Sequence, residues 1–222
     1  MTISLIITAG GTSSRYGKTN KLLEKIENKT VIEYCVEKFL LIEEIFEIVI
    51  SSNPEMIENL KELFKNNKKI KIIAGGKTRQ ESVFNGLKSV QNLDYVLIHD
   101  GARPLVKTED IKKVIEKMKA KNAAILAVKT IDTIKKADET GKIISTIDRS
   151  NLYNVQTPQG FKFDLIYNAH KKLEKKSFTD DSGMLETLGK DVYIVDGDYS
   201  NFKITTKNDF ENMKNFLELE KS

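Results

Sequence analysis

The chain of 222 residues has one cysteine, Cys35, so no disulfide can form within it. Cys35 lies in the apolar pattern V-I-E-Y-C-V-E-K-F-L, which predicts a buried, inert thiol and not a nucleophile. No signal-peptide apolar region is present, and the first apolar run meets glycines too soon to span a membrane; the expectation is a cytoplasmic protein without membrane contact. Nor is there a strong excess of either charge. Lys plus Arg number 36 against 32 Asp plus Glu, a net +4, and the lysines are spread along predicted helices instead of gathered in a block, which argues against a nucleic-acid partner. Repeats, linkers and low-complexity segments are absent too, so one domain over residues 1–222 is expected, and 40% apolar content suffices for a sizeable core.

What is present is an alternation of strands and helices. Leu5 to Ile7, Ile45 to Ile50, Ile70 to Ala74, Tyr95 to Ile98 and Ala123 to Val128 read as buried strands. Between them, Val31, Ile32, Cys35, Val36 and Phe39 recur at helical spacing. Asn53 and Pro54 open a second helix to about Asn66, Thr78 and Glu81 form a capping box for a third to Val90, and Thr108 caps a fourth from Glu109 to Lys121. That rhythm predicts an α/β fold, Rossmann-like and doubly wound, around a mostly parallel sheet. From Lys129 it breaks: two β-prone runs, Thr133 to Lys136 and Ile143 to Ile147, flank a turn at Gly141, predicting a protruding β-hairpin arm over residues 130–148 that packs on a second copy of the chain. A strand from Tyr153 to Gln156, a helix from Lys162 to about Lys175, a short helix from Asp180 to Leu188, strands at Val192 to Val195 and Phe202 to Thr205, and a helix from Lys207 to Leu219 capped by Thr206 and Asp209 complete the expectation.

The chemistry gathers where the first strand runs into A-G-G-T-S-S-R-Y-G-K-T-N-K-L-L. Gly10 and Gly11 keep no Cβ between backbone and ligand, the amides from Gly10 through Thr12 and Ser13 to Ser14 suit phosphate oxygens, and Arg15, Lys18 and Lys21 add cations. The dinucleotide fingerprint fails on glycine spacing, and a P-loop fails by one residue, since five and not four separate Gly11 from Gly17-Lys18-Thr19. In an open parallel sheet the ligand sits outside the carboxyl ends of the strands, where Gly76, Arg79 and Ser82, then Asp100 and Arg103, and finally Lys203 also fall, with Arg149 just past the arm. Asp100, an acidic strand end beside a basic glycine loop, suggests Mg²⁺ on a nucleotide. Plainer readings stand beside these: solvated charges for Arg15, Lys18 and Lys21, turn capping for Asp100, helix opening for Arg79, a packed strand end for His99, an exposed helix position for His170, and first-turn carboxylates for Asp180 and Asp181.

The segments T-A-G-G-T-S-S-R-Y with N-K-L-L, then G-G-K-T-R-Q-E-S-V, H-D-G-A-R-P, V-K-T-I-D-T-I-K, T-I-D-R-S-N-L-Y-N-V-Q-T-P-Q, T-D-D-S-G-M-L-E and Y-S-N-F-K-I-T-T together resemble the cytidylyltransferases that act on 2-C-methyl-D-erythritol 4-phosphate, in order and over nearly the whole chain. The resemblance implies transfer from CTP to a sugar-alcohol phosphate with Mg²⁺, in a homodimer whose arms exchange. It implies that Arg15 and Lys21 neutralise the triphosphate, that Ala9, Gly10, Gly11, Thr12 and Ser13 wrap it, and that Gly76, Arg79 and Ser82 hold cytosine and ribose. Asp100 would hold ribose and metal; Arg103, Thr133, Arg149 and Lys203 would grip the sugar phosphate, Thr133 and Arg149 in a neighbour's site. Two positions depart from the family loop: Ser13 stands for a glycine and Tyr16 for a methionine. The related ribitol 5-phosphate enzymes share these loops but tend to carry valine where Ala102 stands. A P-loop kinase or ATPase and a nucleotide-sensing module are the rivals from other classes.

Overall fold

The computed structural model describes residues 2–11, 16–17, 20–91 and 94–219. Along the chain run β1 (Ile3–Ala9), β2 (Lys25–Ile26), β3 (Lys29–Thr30), α1 (Val31–Leu40), β4 (Ile45–Ser52), a 3-10 turn (Pro54–Met56), α2 (Ile57–Phe64), β5 (Ile70–Ala74), α3 (Arg79–Ser89) and β6 (Tyr95–Asp100). Then follow α4 (Thr108–Lys121), β7 (Ala123–Lys129), β8 (Ile134–Ala137), β9 (Ile143–Ile147), β10 (Tyr153–Lys162), α5 (Phe163–Lys172), α6 (Ser182–Thr187), β11 (Tyr193–Asp196) and α7 (Lys207–Leu219). Seven strands form one sheet in the order β11-β7-β10-β6-β1-β4-β5, parallel throughout except for β10.

Strand alternation decides which layer each side chain enters. Ile3, Leu5 and Ile7 of β1, Leu97 of β6 and Leu126 of β7 enter one core with α1, α2, α4 and α7, while Ile6, Val96, Ile98 and Ile125 enter the other with α3, α5 and α6. Both faces are covered, as a parallel sheet requires. The stripe expected on α1 (Val31, Ile32, Cys35, Val36, Phe39) is buried in full, and Thr30 and Glu33 cap that helix reciprocally. Burial pushes the Cys35 thiol well above its ordinary pKa, with Asp100 adding to the effect, so it is inert as expected. On the second face Gly86 of α3 lies so close to β1 that an added Cβ would stand 2.6 Å from Ile6 Cγ2.

The arm forms a separate two-stranded sheet, β8 paired with β9, and its Ile143 and Ile144 are 60% and 59% exposed. No helix among the described residues is long and apolar enough to cross a membrane.

Several expectations are corrected. The strand at Tyr153 continues to Lys162 and inserts antiparallel between β6 and β7. Residues 202–205 form no strand; Ile204 N donates one hydrogen bond to the Ala102 carbonyl. Thr108 is the first residue of α4 and not its cap, and Glu81 turns its carboxylate to the Lys77 amide, so only the Thr78 half of that capping box forms. His170 is 2% exposed, not solvated: it shares the α5 stripe with Phe163 and Ile166, and its ring stacks on Phe84 at 5.7 Å. The P-loop rival fails structurally, because a P-loop opens its helix at once, whereas a small hairpin, β2 with β3, precedes α1 here.

Candidate active site

The ends of β1, β5 and β6 lie along one edge of the sheet and bring three loops together. Gly10 and Gly11 follow β1, Gly75 and Gly76 follow β5, and β6 ends in Asp100. Ser82, in the first turn of α3, fastens the loop after β5: its Oγ accepts from the Gly76 amide (3.0 Å) and donates to the Thr78 carbonyl (2.9 Å). A Cβ on Gly75 would stand 2.8 Å from that Oγ, and one on Gly76 would stand 2.2 Å from Glu81 Cβ, so the approach requires glycine. The loops enclose a pocket of about 310 Å³. Ala9, Gly10 and Gly11 line it together with Gly76, Arg79 and Ser82, and Lys21, Asp100 and Lys203 complete it from other elements.

Asp100 is its electrostatic centre. Oδ1 accepts from Arg79 Nε (2.9 Å) and Thr8 Oγ1 (3.2 Å), and Oδ2 from Lys203 Nζ (2.7 Å). Burial alone would raise its pKa, but Arg79 and Lys203 hold it far below the usual carboxylate range. It is therefore a permanent anion between two cations, not a turn cap alone. Lys21 Nζ donates to the Ile204 carbonyl (2.6 Å), which fixes its stem beside the pocket.

The turn after β6 is held by buried polar contacts. The Arg103 carbonyl lies 3.1 Å from His99 Nε2, which must therefore carry the proton, and Thr157 Oγ1 lies 3.0 Å from His99 Nδ1 while accepting from the Asp100 amide (3.0 Å). Burial pulls His99 down to about 4, so it is the packed strand-end histidine and not a base. Arg103 donates to the carbonyls of Asn201 and Val155, and lines an adjoining cleft that shares Arg79, Asp100 and Lys203 with the main pocket. Thr133 and Arg149 line neither cavity; both are exposed at the base of the arm, where Arg149 donates to the Ile131 carbonyl.

Thr12, Ser13 and Arg15, like Lys18, lie outside the described residues. Tyr16 is buried, edge-on to Phe210 at 6.3 Å, and burial, with Glu24 and Glu211 nearby, pushes its hydroxyl up to about 12. The residue that replaces methionine thus pins the end of the loop to α7.

Sequence reasoning missed Thr8, Thr157, Gln159 and the buried role of Asp181. Asp181 Oδ2 accepts from Arg79 Nη1 at 2.7 Å, so this carboxylate faces an arginine instead of serving its own helix. The signal was the paired acids of T-D-D-S-G, of which only one, Asp180, takes up the local turn.

Comparison with known proteins agrees with this geometry. A family model described as IspD: 2-C-methyl-D-erythritol 4-phosphate cytidylyltransferase matches residues 3–218. A protein of that name from Dictyoglomus thermophilum is 43% identical over 221 residues, 96% of this chain and 95% of that one. The crystal structure of 4-diphosphocytidyl-2C-methyl-D-erythritol synthase from Anaerococcus prevotii superposes with a TM-score of 0.87 at 33% identity, covering 98% of this chain and 96% of the other. That of 2-C-methyl-D-erythritol 4-phosphate cytidylyltransferase from Thermus thermophilus gives 0.80 at 27% identity, covering 97% and 98%. With the glycine-walled pocket, its cations and the match over nearly the full length, the chain belongs to the 2-C-methyl-D-erythritol 4-phosphate cytidylyltransferase family.

Proposed function

We propose that this protein transfers the cytidylyl group of CTP to 2-C-methyl-D-erythritol 4-phosphate and releases pyrophosphate. The observation that carries the proposal is the convergence of Lys21, Arg79 and Lys203 on one glycine-walled pocket, the last two paired with Asp100, in a chain of this family. A phosphate oxygen of the sugar alcohol attacks the α-phosphorus in line. The new P–O bond forms as the bond to the bridging oxygen breaks, and pyrophosphate leaves with the electron pair. The attacking group is already ionised at neutral pH, so no base is needed; the task is to screen repulsion between two anions and align them.

In this reading Lys21 and Arg15 neutralise the triphosphate, and the backbone from Ala9 to Ser13 wraps it. Gly76, Arg79 and Ser82 hold the cytosine and ribose side, Asp100 takes ribose hydroxyls, and Arg103 and Lys203 grip the sugar phosphate. Thr133 and Arg149, absent from the cavities of their own chain, act in the partner's pocket of a homodimer joined through the arm over residues 130–148. The exposed Ile143 and Ile144 support that pairing. Mg²⁺ is the implied cofactor. Among the described residues no group of three or more His, Cys, Asp or Glu suits a metal, but Asp100 Oδ2 takes one described hydrogen bond and keeps a lone pair, which fits an ion that needs one carboxylate beside phosphate oxygens. Asp100 would hold it, and the bound ion would supply charge neutralisation on the phosphates.

The test is pyrophosphate release from CTP with each of two acceptors, 2-C-methyl-D-erythritol 4-phosphate and D-ribitol 5-phosphate, and then with ATP and GTP in place of CTP. Turnover with the first acceptor and CTP is expected. Ribitol phosphate as the better acceptor would overturn the substrate, and equal use of purine nucleotides would overturn the cytidine pocket.

A further inference from the structure

Arg79 reaches Asp100 from the first position of α3, through a side chain with several free torsions, and something must hold it there. The guanidinium is bracketed: Nε meets Asp100 at 2.9 Å and Nη1 meets Asp181 at 2.7 Å. Asp181 lies 102 residues further along the chain and is 1% exposed. It occupies the N-cap position of α6 yet makes no capping bond with its side chain. That work is done by its neighbours. Gln159 Oε1 accepts from the Asp181 and Ser182 amides, and Asp180 Oδ1 accepts from the Gly183 amide. Behind it His170 Nε2 stands 3.5 Å from Oδ1, without hydrogen-bond geometry to any described partner. A carboxylate withdrawn from water and from its own helix is costly unless paired, and its strong pair is Arg79.

We propose that Asp181 is a positioning residue for nucleotide binding: by gripping one arm of the Arg79 guanidinium from the protein interior, it fixes the angle at which Arg79 serves the pocket and Asp100. Electrostatics alone has the opposite sign. Removing an anion near a site for a triphosphate should tighten binding, whereas loss of positioning should weaken it. The inference rests on the cytidylyl-transfer reading.

The test is Asp181→Ala, which leaves the caps of α6 in place, assayed for CTP KM and kcat by pyrophosphate release and for CTP affinity by calorimetry. A KM raised roughly tenfold with kcat within about threefold of wild type is expected, the signature of lost ground-state binding. In an Arg79→Lys background the same change should move KM by less than about twofold, because Asp181 acts through the guanidinium. An unchanged or lower KM, or a full tenfold loss in the Arg79→Lys background, would overturn the proposal. If near-UV circular dichroism shows Asp181→Ala misfolded, Asp181→Asn, which keeps the shape, should shift KM in the same direction by a smaller factor, and no shift would count equally against it. Wild type run in parallel separates the two readings: wild-type protein that neither turns over nor binds CTP removes the functional assignment, and active wild type with an insensitive variant removes only the role of Asp181.

Discussion

Lowering the pH from 7 to 5 should cost this fold about 2 kcal/mol through one side chain, His99, whose pKa falls from 6.5 to about 4 on folding. The ring is fully buried, tilted against Phe39 at 4.7 Å, and both nitrogens are engaged in the neutral tautomer. At pH 5 an unfolded imidazole is protonated over neutral by about thirtyfold, while the native one is mostly neutral. The unfolded chain therefore binds more protons between pH 4 and 6.5; the neutral native ring carries no penalty above that window, and stability is lost as pH falls through it, reaching about 3 kcal/mol near pH 4. Asp100 and Asp181 are also lowered on folding, but because neighbouring cations favour their charged form. Their native values are depressed, so their contribution is complete above the ordinary carboxylate range and is lost only below it, leaving pH 5 to 7 clear of them. Urea unfolding at pH 7, 6 and 5 should show the loss in wild type, and His99→Gln, which keeps a donor for the Arg103 carbonyl, should be less stable at pH 7 but flatter by about 2 kcal/mol over the range. An NMR titration should place the His99 midpoint below 5. Parallel slopes for the two proteins, or a midpoint above 6, would refute the reasoning.

Lys21→Ala should lose about three decades of kcat, since about 4 kcal/mol separates two unit charges at 4 Å and an effective dielectric near 20, with far-UV circular dichroism unchanged; near-normal pyrophosphate release would contradict it. Chelation by EDTA should stop turnover and Mg²⁺ should restore it. Arg149→Ala should be inactive alone, yet mixing it with Lys21→Ala after dissociation should recover up to about a quarter of wild-type activity by random pairing, whereas residues acting in their own chain would recover none. Gly86→Ala should destabilise by about 1–3 kcal/mol through its clash with Ile6, read as a lower midpoint of urea unfolding; an unchanged midpoint would contradict the close packing of α3 on β1.

The local rules were written in the chain. All six parallel strands of the sheet, the stripe of α1 and the last helix from Lys207 to Leu219 follow from periodicity and capping, because those signals act within a few residues. So does most of the pocket: the glycines at 10, 11 and 76 that wall it, and charged side chains at the carboxyl ends of strands, are local features with a known place in a parallel sheet. Tertiary structure alone decided what depends on partners far away in sequence. The stretch from Tyr153 to Lys162 carries no mark of lying antiparallel between β6 and β7; its direction is set by long-range pairing with both of those strands. His170 is on the apolar stripe of α5, and it is packed there by Phe84 from α3 and Asp181 ahead of α6, both far from it in sequence or on another element. And Asp181, which reads as a first-turn carboxylate, becomes the inner partner of Arg79 because the energy of a buried charge is set by what the fold brings within about 3 Å of it, a distance no sequence spacing of 102 residues encodes.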